Sequence, residues 1–518
     1  MEEGLGLITS GNFDAEIWER ARRVARPLVP TLASALEAQN ARYEKSSARD
    51  AHLRALRAGA AVVCTGQQTG LFLGPLYTVY KAASTIRLAR FLAETWGTPV
   101  VPVFWLQTED HDAAEISVCH IDRGSAEPLT LSIEVEDSGV SVAHRILPEA
   151  IASELSKLAG ALVRLPHGEE HLACLATHYR AGVGWSQAFA GVLATLFGEE
   201  GLVLIDPRDP ELAPLAAPVH RCALTEARPI ARALAERVGA LAASGKRAPV
   251  HVREDAPLSF VHPSGPEGPR CRLTAADGGF VEVGTRRSHT IGGLLELLDS
   301  SPAAFSTSAL LRPILQDTWL PTVAYVGGPG ELAYFSQLPP LYAAFDIPMP
   351  IIVPRAHVRL VDESTRRALL RLGLTPAQAC GPFEEALASA QAGASGESGG
   401  DRIAQDLVAG VDRLLADLTP VVGEAGERGL KSLEKTRGSM ARSAGKLGRS
   451  IDRARMLRNK GAVDDLRRVQ TRLQPRGVPQ ERFFGLSSFA ARYGQRAFIE
   501  RVLAAAAPFS TGIEDLDL

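Results

Sequence analysis

The sequence lacks long apolar runs, paired cysteines and an excess of charge of either sign. No stretch approaches the roughly 20 uninterrupted apolar residues of a membrane-spanning helix, so we predict a protein that does not cross a membrane. Fifty-six Lys and Arg residues nearly balance 59 Asp and Glu residues in a chain of 518. This balance argues against a surface that is devoted as a whole to nucleic acid.

The six cysteines are scattered along the chain, and no two of them form a C-x-x-C pair. Isolated cysteines are typical of reduced thiols and indicate neither a disulfide framework nor a structural zinc, so we predict no metal site. The N-terminal segment opens with two acidic residues and lacks the basic start and apolar core of a secretory signal. We therefore expect a cytoplasmic protein.

Alternating strand and helix patterns predict an α/β fold with a doubly wound sheet. The β-branched run 60–64 ends at a glycine-rich turn, and residues 77–95 then follow with helical spacing. The run 99–106 is apolar throughout, as strands of a parallel sheet are when helices cover both faces. Polar residues follow both strands. In such folds ligands bind at the carboxyl edge of the sheet, so we expect the site there.

Later segments extend this organisation. Strand patterns recur at 322–326 and 349–353, and a small, flexible run at 388–400 marks a boundary. Beyond it, apolar residues from Ile403 to Ala454 recur at three-to-four spacing, which predicts a helical hairpin or coiled coil. We predict five segments. The first half of the core spans residues 1–125, a connecting insertion spans 126–200, and the second half of the core, with a small β-rich insertion, spans 201–390. A coiled-coil arm spans 391–478, and residues 479–518 pack back on the core.

The glycine-rich turn after the first strand carries the first candidate site. Glycines let backbone N–H groups approach a ligand, and a helix N-terminus offers donors to an anion. A tight strand-to-helix connection explains the turn equally well, because the pattern matches neither the Walker A nor the dinucleotide fingerprint. The candidate binding residues are Thr65, Gly66, Gln67, Gln68, Gly74, Tyr77 and Lys81.

An acidic tetrad after the second strand carries the second candidate site: Glu109, Asp110, His111 and Asp112, with Glu115 nearby. Carboxylates around an imidazole are expected to raise one another's pKa values and to bind a cation, orient an ammonium group or move protons. The alternative is an acidic loop that caps the next helix. The position beside the glycine-rich turn favours a catalytic role for the tetrad.

A third set of residues brackets the strand pattern at 322–326. An arginine can clamp a carboxylate or phosphate with two hydrogen bonds, and a glutamate can hold an amine. The alternative is a structural ion pair between Arg312 and Asp317, with glycines that merely turn the chain. The candidate binding residues are Arg312, Asp317, Tyr325, Gly327, Gly328, Glu331 and Tyr334.

The predicted arm is strongly basic, with fifteen basic and four acidic residues between 428 and 476. A basic helix can grip phosphates, but a solvated coiled-coil face explains such a run more often. No aromatic residues are interleaved to stack on bases, so we do not expect nucleic acid as a partner. We expect the apolar stripe of the arm to be buried against a second subunit, which predicts a homodimer.

These motifs together resemble the BshC family, the cysteine ligases of bacillithiol synthesis. The resemblance extends over nearly the entire chain and includes PQER (479–482) after the arm. It implies a Rossmann-like core similar to that of class I aminoacyl-tRNA synthetases and nucleotidyltransferases, two insertions, and a coiled coil through which two subunits dimerise. The matching blocks are VCTGQQTGLFLGPLYTVYK (63–81), VPVFWLQTEDHDAAE (101–115), LRPILQD (311–317) and YVGGPGELAY (325–334).

The resemblance implies a reaction that joins the carboxyl group of cysteine to the amine of glucosaminyl-malate. Amide formation needs an activated carboxyl group, most simply an adenylate or an acyl phosphate made from ATP, so the resemblance also implies ATP/ADP as the cofactor. It leaves open whether a divalent metal takes part. On this basis residues 66–68 and Gly74 cradle the activated group, the tetrad 109–112 binds the amine or moves its proton, and Arg312 meets the malate.

One departure separates this chain from the synthetases. Their signature carries two histidines, whereas the corresponding stretch here has Phe72 and Pro75, which cannot donate to phosphate. The use of ATP therefore stays open at this point. Two rivals also remain: another acid-activating enzyme with a nucleotidyltransferase fold, and a non-enzymatic coiled-coil protein that binds nucleic acid or a partner.

Overall fold

The computed structural model describes residues 14–124, 127–395, 399–458, 460–510 and 512–518. The chain divides into two compact units. The first runs to Val358 and includes Glu481–Glu514, and the second comprises Arg359–Gln480 and Asp515–Leu518. All candidate site residues belong to the first unit. The domain boundaries inferred from the sequence stay predictions.

A five-stranded parallel sheet forms the centre of the first unit, in the order β12-β11-β1-β2-β5. Along the first strand, Val62 and Cys64 pack into one hydrophobic core, while Ala61 and Val63 pack into a second core. Two covered faces explain why the strands are apolar throughout. The α/β prediction is confirmed. The strands are β1 Ala61–Gln67, β2 Val100–Leu106, β5 Val203–Ile205, β11 Thr322–Gly327 and β12 Ile351–Pro354.

An antiparallel sheet in the order β10-β6-β7-β8-β9 lies where the sequence predicts a β-rich insertion. Two further sheets have two strands each, β3-β4 and β13-β14. The bounds of these strands are β3 Val118–Ile121, β4 Leu129–Ser132, β6 Ser259–Val261, β7 Cys271–Ala276, β8 Gly279–Glu282, β9 Ser288–Thr290, β10 Phe305–Thr307, β13 His357–Val361 and β14 Ile513–Asp517.

The longest helix of the first unit, Tyr77–Trp96, directly follows the glycine-rich turn and is buried over most of its length. It ends at Gly97, whose φ of 62° suits glycine better than other residues. Outside the arm the helices are α1 Ala15–Arg22, α2 Pro30–Asn40, α3 Ser47–Arg57, α4 Tyr77–Trp96, α5 Ala113–Ile116, α6 Ala150–Leu162, α7 Gly168–His178, α8 Trp185–Leu196, α9 Ala213–Thr225, α10 Ala227–Ala243, α11 Ile291–Ser300, α12 Arg312–Trp319, α13 Pro329–Phe335, α14 Pro339–Ala344, α21 Gln480–Phe483, α22 Ser487–Tyr493 and α23 Gln495–Ala505.

The second unit is helical and contains the predicted hairpin, formed by α18 and α19. Gly448, whose lack of a side chain would weaken a heptad, is needed for packing, because a Cβ there would lie 2.4 Å from the carbonyl oxygen of Gly400. The run 388–400, predicted to be flexible, is helical to Ser395, and residues 396–398 lie outside the described residues. The helices are α15 Glu363–Leu372, α16 Pro376–Ala379, α17 Phe383–Ser395, α18 Gly399–Gly423, α19 Gly426–Arg458 and α20 Lys460–Leu473.

Candidate active site at the carboxyl edge of the parallel sheet

A cavity of about 270 Å³, here called the first cavity, opens where chain segments following β1, β2, β11 and β12 meet. Parallel strands place their carboxyl ends at one edge, so motifs far apart in sequence come together there. Eight predicted residues line it: Gln67, Gln68, Tyr77, Lys81, Arg312, Gly328, Glu331 and Tyr334. Their roles toward a substrate stay predictions.

A buried ion pair joins the first and third motifs across this cavity. The Lys81 Nζ atom lies 2.5 Å from Oε2 of Glu331 and also donates to Oε1 of Gln67 at 2.9 Å. The Tyr325 hydroxyl donates to the other carboxylate oxygen at 2.6 Å, and the Gly328 N–H donates to Oε2 at 2.8 Å. Burial alone raises the pKa of Glu331, but Lys81 and these donors outweigh it and lower that pKa. Both carboxylate oxygens thus have protein partners.

Arg312 is buried in the cavity wall and has neutral partners. Its Nη1 donates to Oε1 of Gln316 at 2.8 Å and its Nη2 to the Tyr334 hydroxyl at 3.2 Å. Among the residues that the structure describes, no carboxylate forms an ion pair with it. A guanidinium has five N–H donors, so several remain for a ligand.

Asp317, the alternative partner for Arg312, faces elsewhere. The Tyr342 hydroxyl donates to its Oδ2 at 2.5 Å, and Gln316 donates to its Oδ1 at 2.8 Å. Burial raises the pKa of Asp317 to about 6, with hydrogen bonds opposing the shift. Asp317 therefore fastens α12 to α14 and does not line the cavity.

Three members of the acidic tetrad border a second cavity of about 220 Å³, which shares Gln107, Ala309 and Arg312 with the first cavity. Glu109, Asp110 and His111 line this second cavity beside Arg270. Arg312 thus lies in the walls of both cavities.

The sequence-based expectation of mutually raised pKa values is wrong for Asp110. Burial does raise its pKa, but hydrogen bonds from His111 and the charge of Arg270, 3.8 Å away, lower it to about 2. The His111 N–H donates to Oδ1 at 2.8 Å, and the Gln68 amide donates to Oδ2. Arg270 precedes β7, a strand of the antiparallel sheet, and the sequence could not place it here.

The other two carboxylates of the tetrad have structural partners. The backbone N–H of Thr307 donates to Oε1 of Glu109 at 3.1 Å, and its hydroxyl donates to Oε2. Asp112 caps α5 by accepting from the N–H groups of Ala114 and Glu115 at 3.0 and 3.2 Å. The alternative reading of an acidic cap is therefore confirmed for Asp112.

Six of the predicted binding residues do not line the first cavity. The Thr65 hydroxyl donates to the carbonyl oxygen of Val326 at 2.8 Å, and a Cβ at Gly66 would lie 3.0 Å from the carbonyl oxygen of Trp105. Gly66 thus serves close packing, as the tight-connection alternative states. The residues outside the cavity are Thr65, Gly66, Gly74, Asp317, Tyr325 and Gly327.

Sequence reasoning missed two arginines of the first cavity, Arg355 and Arg482. Arg355 directly follows β12, so the carboxyl-edge rule that located the other motifs could have found it. It forms two hydrogen bonds with Glu481, at 2.8 and 2.6 Å. Burial raises the pKa of Glu481, but Arg355 and His357 outweigh it and lower that pKa to about 2.

Glu115 lies at the rim of the first cavity, and Gln67 donates to its Oε1 at 3.1 Å. Burial raises the pKa of Glu115, and the negative charges of Asp110 and Asp112 raise it further. The sequence shows Glu115 only as a neighbour of the tetrad.

The described parts of the chain lack two features. No group of three or more His, Cys, Asp and Glu side chains is arranged to hold a metal ion there. No helix there combines the length and apolar character needed to span a membrane.

Comparisons with known proteins agree with this architecture. Residues 8–356 match the family model "Bacillithiol biosynthesis BshC, N-terminal Rossmann-like domain", and residues 358–514 match "Bacillithiol biosynthesis BshC, C-terminal coiled-coil domain". The Rossmann-like core and the coiled coil that the resemblance implies are thereby confirmed.

Curated relatives named "Putative cysteine ligase BshC" match most of the chain. The protein from Salinibacter ruber is 32% identical over 465 residues, covering 89% of this chain and 84% of the relative. The protein from Koribacter versatilis is 33% identical over 473 residues, covering 89% and 85%. The protein from Geobacillus thermodenitrificans is 29% identical over 483 residues, covering 92% and 88%. The chain therefore belongs to the BshC family of bacillithiol biosynthesis.

Proposed function

We propose that this chain is a cysteine ligase that joins the carboxyl group of cysteine to the amine of glucosaminyl-malate and so forms bacillithiol. The names of the curated relatives support a cysteine ligase, and the matched family models support a place in bacillithiol biosynthesis. The first cavity is the proposed site of the reaction.

The buried charge of Arg312 is the observation that carries this proposal. A buried charge is costly unless an opposite charge or several hydrogen bonds compensate it. Arg312 has two neutral hydrogen-bond partners and lines both cavities. The malate part of glucosaminyl-malate carries carboxylates, which a guanidinium binds through paired hydrogen bonds. In this proposal a malate carboxylate binds Arg312, and the amine of the sugar occupies the same hollow.

Formation of an amide from a free acid needs activation, and we propose that ATP supplies it as an acyl phosphate or an adenylate. The residues present fit a phosphate ligand: the second amide hydrogen of Gln68 and the exposed Arg482 offer N–H donors around the first cavity. Phe72 packs on the ring of Tyr179, with centroids 4.7 Å apart, and is absent from the cavity lining. Phosphate binding here thus relies on residues other than those of the synthetase signature.

We further propose a homodimer that forms through the helical hairpin, in the cytoplasm. Apolar side chains on α18 and α19 are exposed, among them Leu414 at 66% and Val421 at 65%. Coiled-coil helices pair through their apolar stripes, so we expect the hairpin of a second subunit to cover these side chains. All six cysteines are free thiols, which suits a reducing compartment.

Incubation of the purified protein with glucosaminyl-malate, cysteine and ATP tests the proposed activity. We expect a product whose mass equals the two substrates less one water, formed only when ATP is present. Parallel reactions that contain alanine or serine in place of the substrate cysteine distinguish a cysteine ligase from an enzyme that activates another acid. A product with one of these alone, or no product from any of them, contradicts the proposal.

A further inference from the structure

The carboxylates around the two cavities differ in what their oxygens contact. Among the described residues lining the first cavity, two carry carboxylates, Glu115 and Glu331. Both oxygens of Glu331 are engaged, one by the Tyr325 hydroxyl and the other by Lys81 and the Gly328 N–H. Glu331 is therefore already neutralised and cannot accept a substrate proton without losing these contacts.

The carboxylates of the second cavity are engaged as well. Asp110 accepts from the His111 N–H and from the Gln68 amide, and its pKa of about 2 makes it a weak base. Glu109 accepts from the N–H and the hydroxyl of Thr307. Both oxygens of each side chain therefore already have protein partners.

Glu115 is different, because one oxygen is anchored and the other is not. Gln67 donates to Oε1 at 3.1 Å. Within the described parts of the chain, Oε2 has no hydrogen-bond partner. The backbone at Glu115 is fixed as well, since its N–H donates to the capping carboxylate of Asp112.

The orientation of Gln67 is itself determined. Lys81 donates to Oε1 of Gln67 at 2.9 Å, which directs the amide nitrogen of Gln67 toward Glu115. A chain of hydrogen bonds thus leads from the buried ion pair through Gln67 to Glu115. It holds the carboxylate at the cavity while leaving Oε2 available.

The charges that face Glu115 increase its affinity for a proton. Burial comes first, followed by Asp110 and Asp112, while Lys81 and the hydrogen bond from Gln67 act in the opposite direction; the net effect raises the pKa of Glu115. A raised pKa brings a carboxyl group closer to neutral pH, where a general base is most effective.

We propose that Glu115 is the general base of the ligation, an inference that rests on the proposed function. The amine nitrogen, in its neutral form, attacks the carbonyl carbon of the acyl phosphate or acyl adenylate, and the C–N bond forms. The bond from that carbon to the phosphate oxygen breaks, and the electron pair leaves with the phosphate. The proton that the nitrogen loses passes to the free oxygen of Glu115.

Hydroxylamine separates activation from this proton transfer. It is a strong nucleophile that is neutral at pH 7, so it captures an activated carboxyl group without a general base. The experiment compares the wild type, Glu115→Gln and Glu115→Asp in two assays: cysteine hydroxamate formed with ATP, cysteine and hydroxylamine, and ligation to glucosaminyl-malate. Glu94→Gln serves as the control, because Glu94 is exposed on α4 and absent from both cavities.

We expect Glu115→Gln to keep hydroxamate formation within about twofold and to lose ligation by about 100-fold or more in kcat, the usual contribution of a general base. Glu115→Asp recovers part of the rate, and Glu94→Gln matches the wild type. Equal losses in both assays, or ligation at the wild-type rate, overturn the role of Glu115. If the wild type itself forms neither hydroxamate nor ligated product, the proposed function fails instead.

Discussion

Lys81 and Glu331 form a buried ion pair, with Nζ and Oε2 2.5 Å apart, that joins the helix after β1 to the helix after β11. The two residues are 250 positions apart in the sequence, and each belongs to a different motif. The pair fixes the loops of two adjacent strands against each other. Through Gln67 it also fixes the position of Glu115.

This pair is expected to show strong coupling in a double-mutant cycle. Lys81→Met or Glu331→Gln leaves the other residue without its partner, and each should lower the free energy of unfolding by about 3 kcal/mol. The double variant should lose clearly less than the sum. Urea unfolding measures all three.

The exposed pair of Arg57 and Glu37 is the matched control, and Glu37→Gln there should cost less than about 1 kcal/mol. Strict additivity of Lys81→Met and Glu331→Gln would contradict the coupling.

The ion pair of Arg355 and Glu481 makes the free energy of unfolding depend on pH in the acid range. The pKa of Glu481 is about 2 in the folded chain, below its ordinary value of 4.5. The stabilisation is therefore complete above about pH 5 and is lost as the pH falls toward 2. Between pH 6 and pH 3 the wild type should lose about 2 kcal/mol more stability than Glu481→Gln does. Urea midpoints across this range test the difference, and parallel curves for the two proteins would show that the ion pair does not have this effect.

Arg312 should determine the preference for a substrate that carries malate. Lysine keeps the charge but cannot form the paired hydrogen bonds of a guanidinium. We expect Arg312→Lys to lower kcat/KM for glucosaminyl-malate by about tenfold or more, with little effect on a glucosamine that lacks the malate group. Steady-state kinetics with both amines measure the ratio.

Arg247, which is exposed and absent from the first and second cavities, offers the control Arg247→Lys, expected to behave as the wild type. An equal loss for both amines in Arg312→Lys would mean that Arg312 does not recognise malate.

The exposed apolar residues of the hairpin should support dimerisation. Light scattering at micromolar concentration should give twice the chain mass of 55.2 kDa for the wild type. The variants Leu414→Glu and Val421→Glu each place a charge in the expected interface and should be monomeric. Leu370, 74% exposed on α15 and outside the hairpin, provides the control Leu370→Glu, which should stay dimeric. A monomeric wild type, or dimers of the hairpin variants, argues against this interface.

The sequence was sufficient for the central strands and for the edge where the motifs meet. Apolar runs that end in glycine and polar residues predict buried parallel strands, and the carboxyl-edge rule then places Gln68 and Glu331 around one hollow. Internal pairing could not be predicted, because it depends on residues far apart in sequence. Glu481 compensates Arg355 from 126 positions away, and Arg270 reaches Asp110 from 160 positions away.

Transfer of oxygen from cysteine tests the central claim, that this chain ligates cysteine through an ATP-activated carboxyl group. The reaction with glucosaminyl-malate and ATP is run with cysteine labelled with ¹⁸O in the carboxyl group, and the phosphate-containing products are analysed by mass spectrometry. The account predicts one labelled oxygen in phosphate or AMP for each bacillithiol formed. Bacillithiol formed without any label in these products would contradict it.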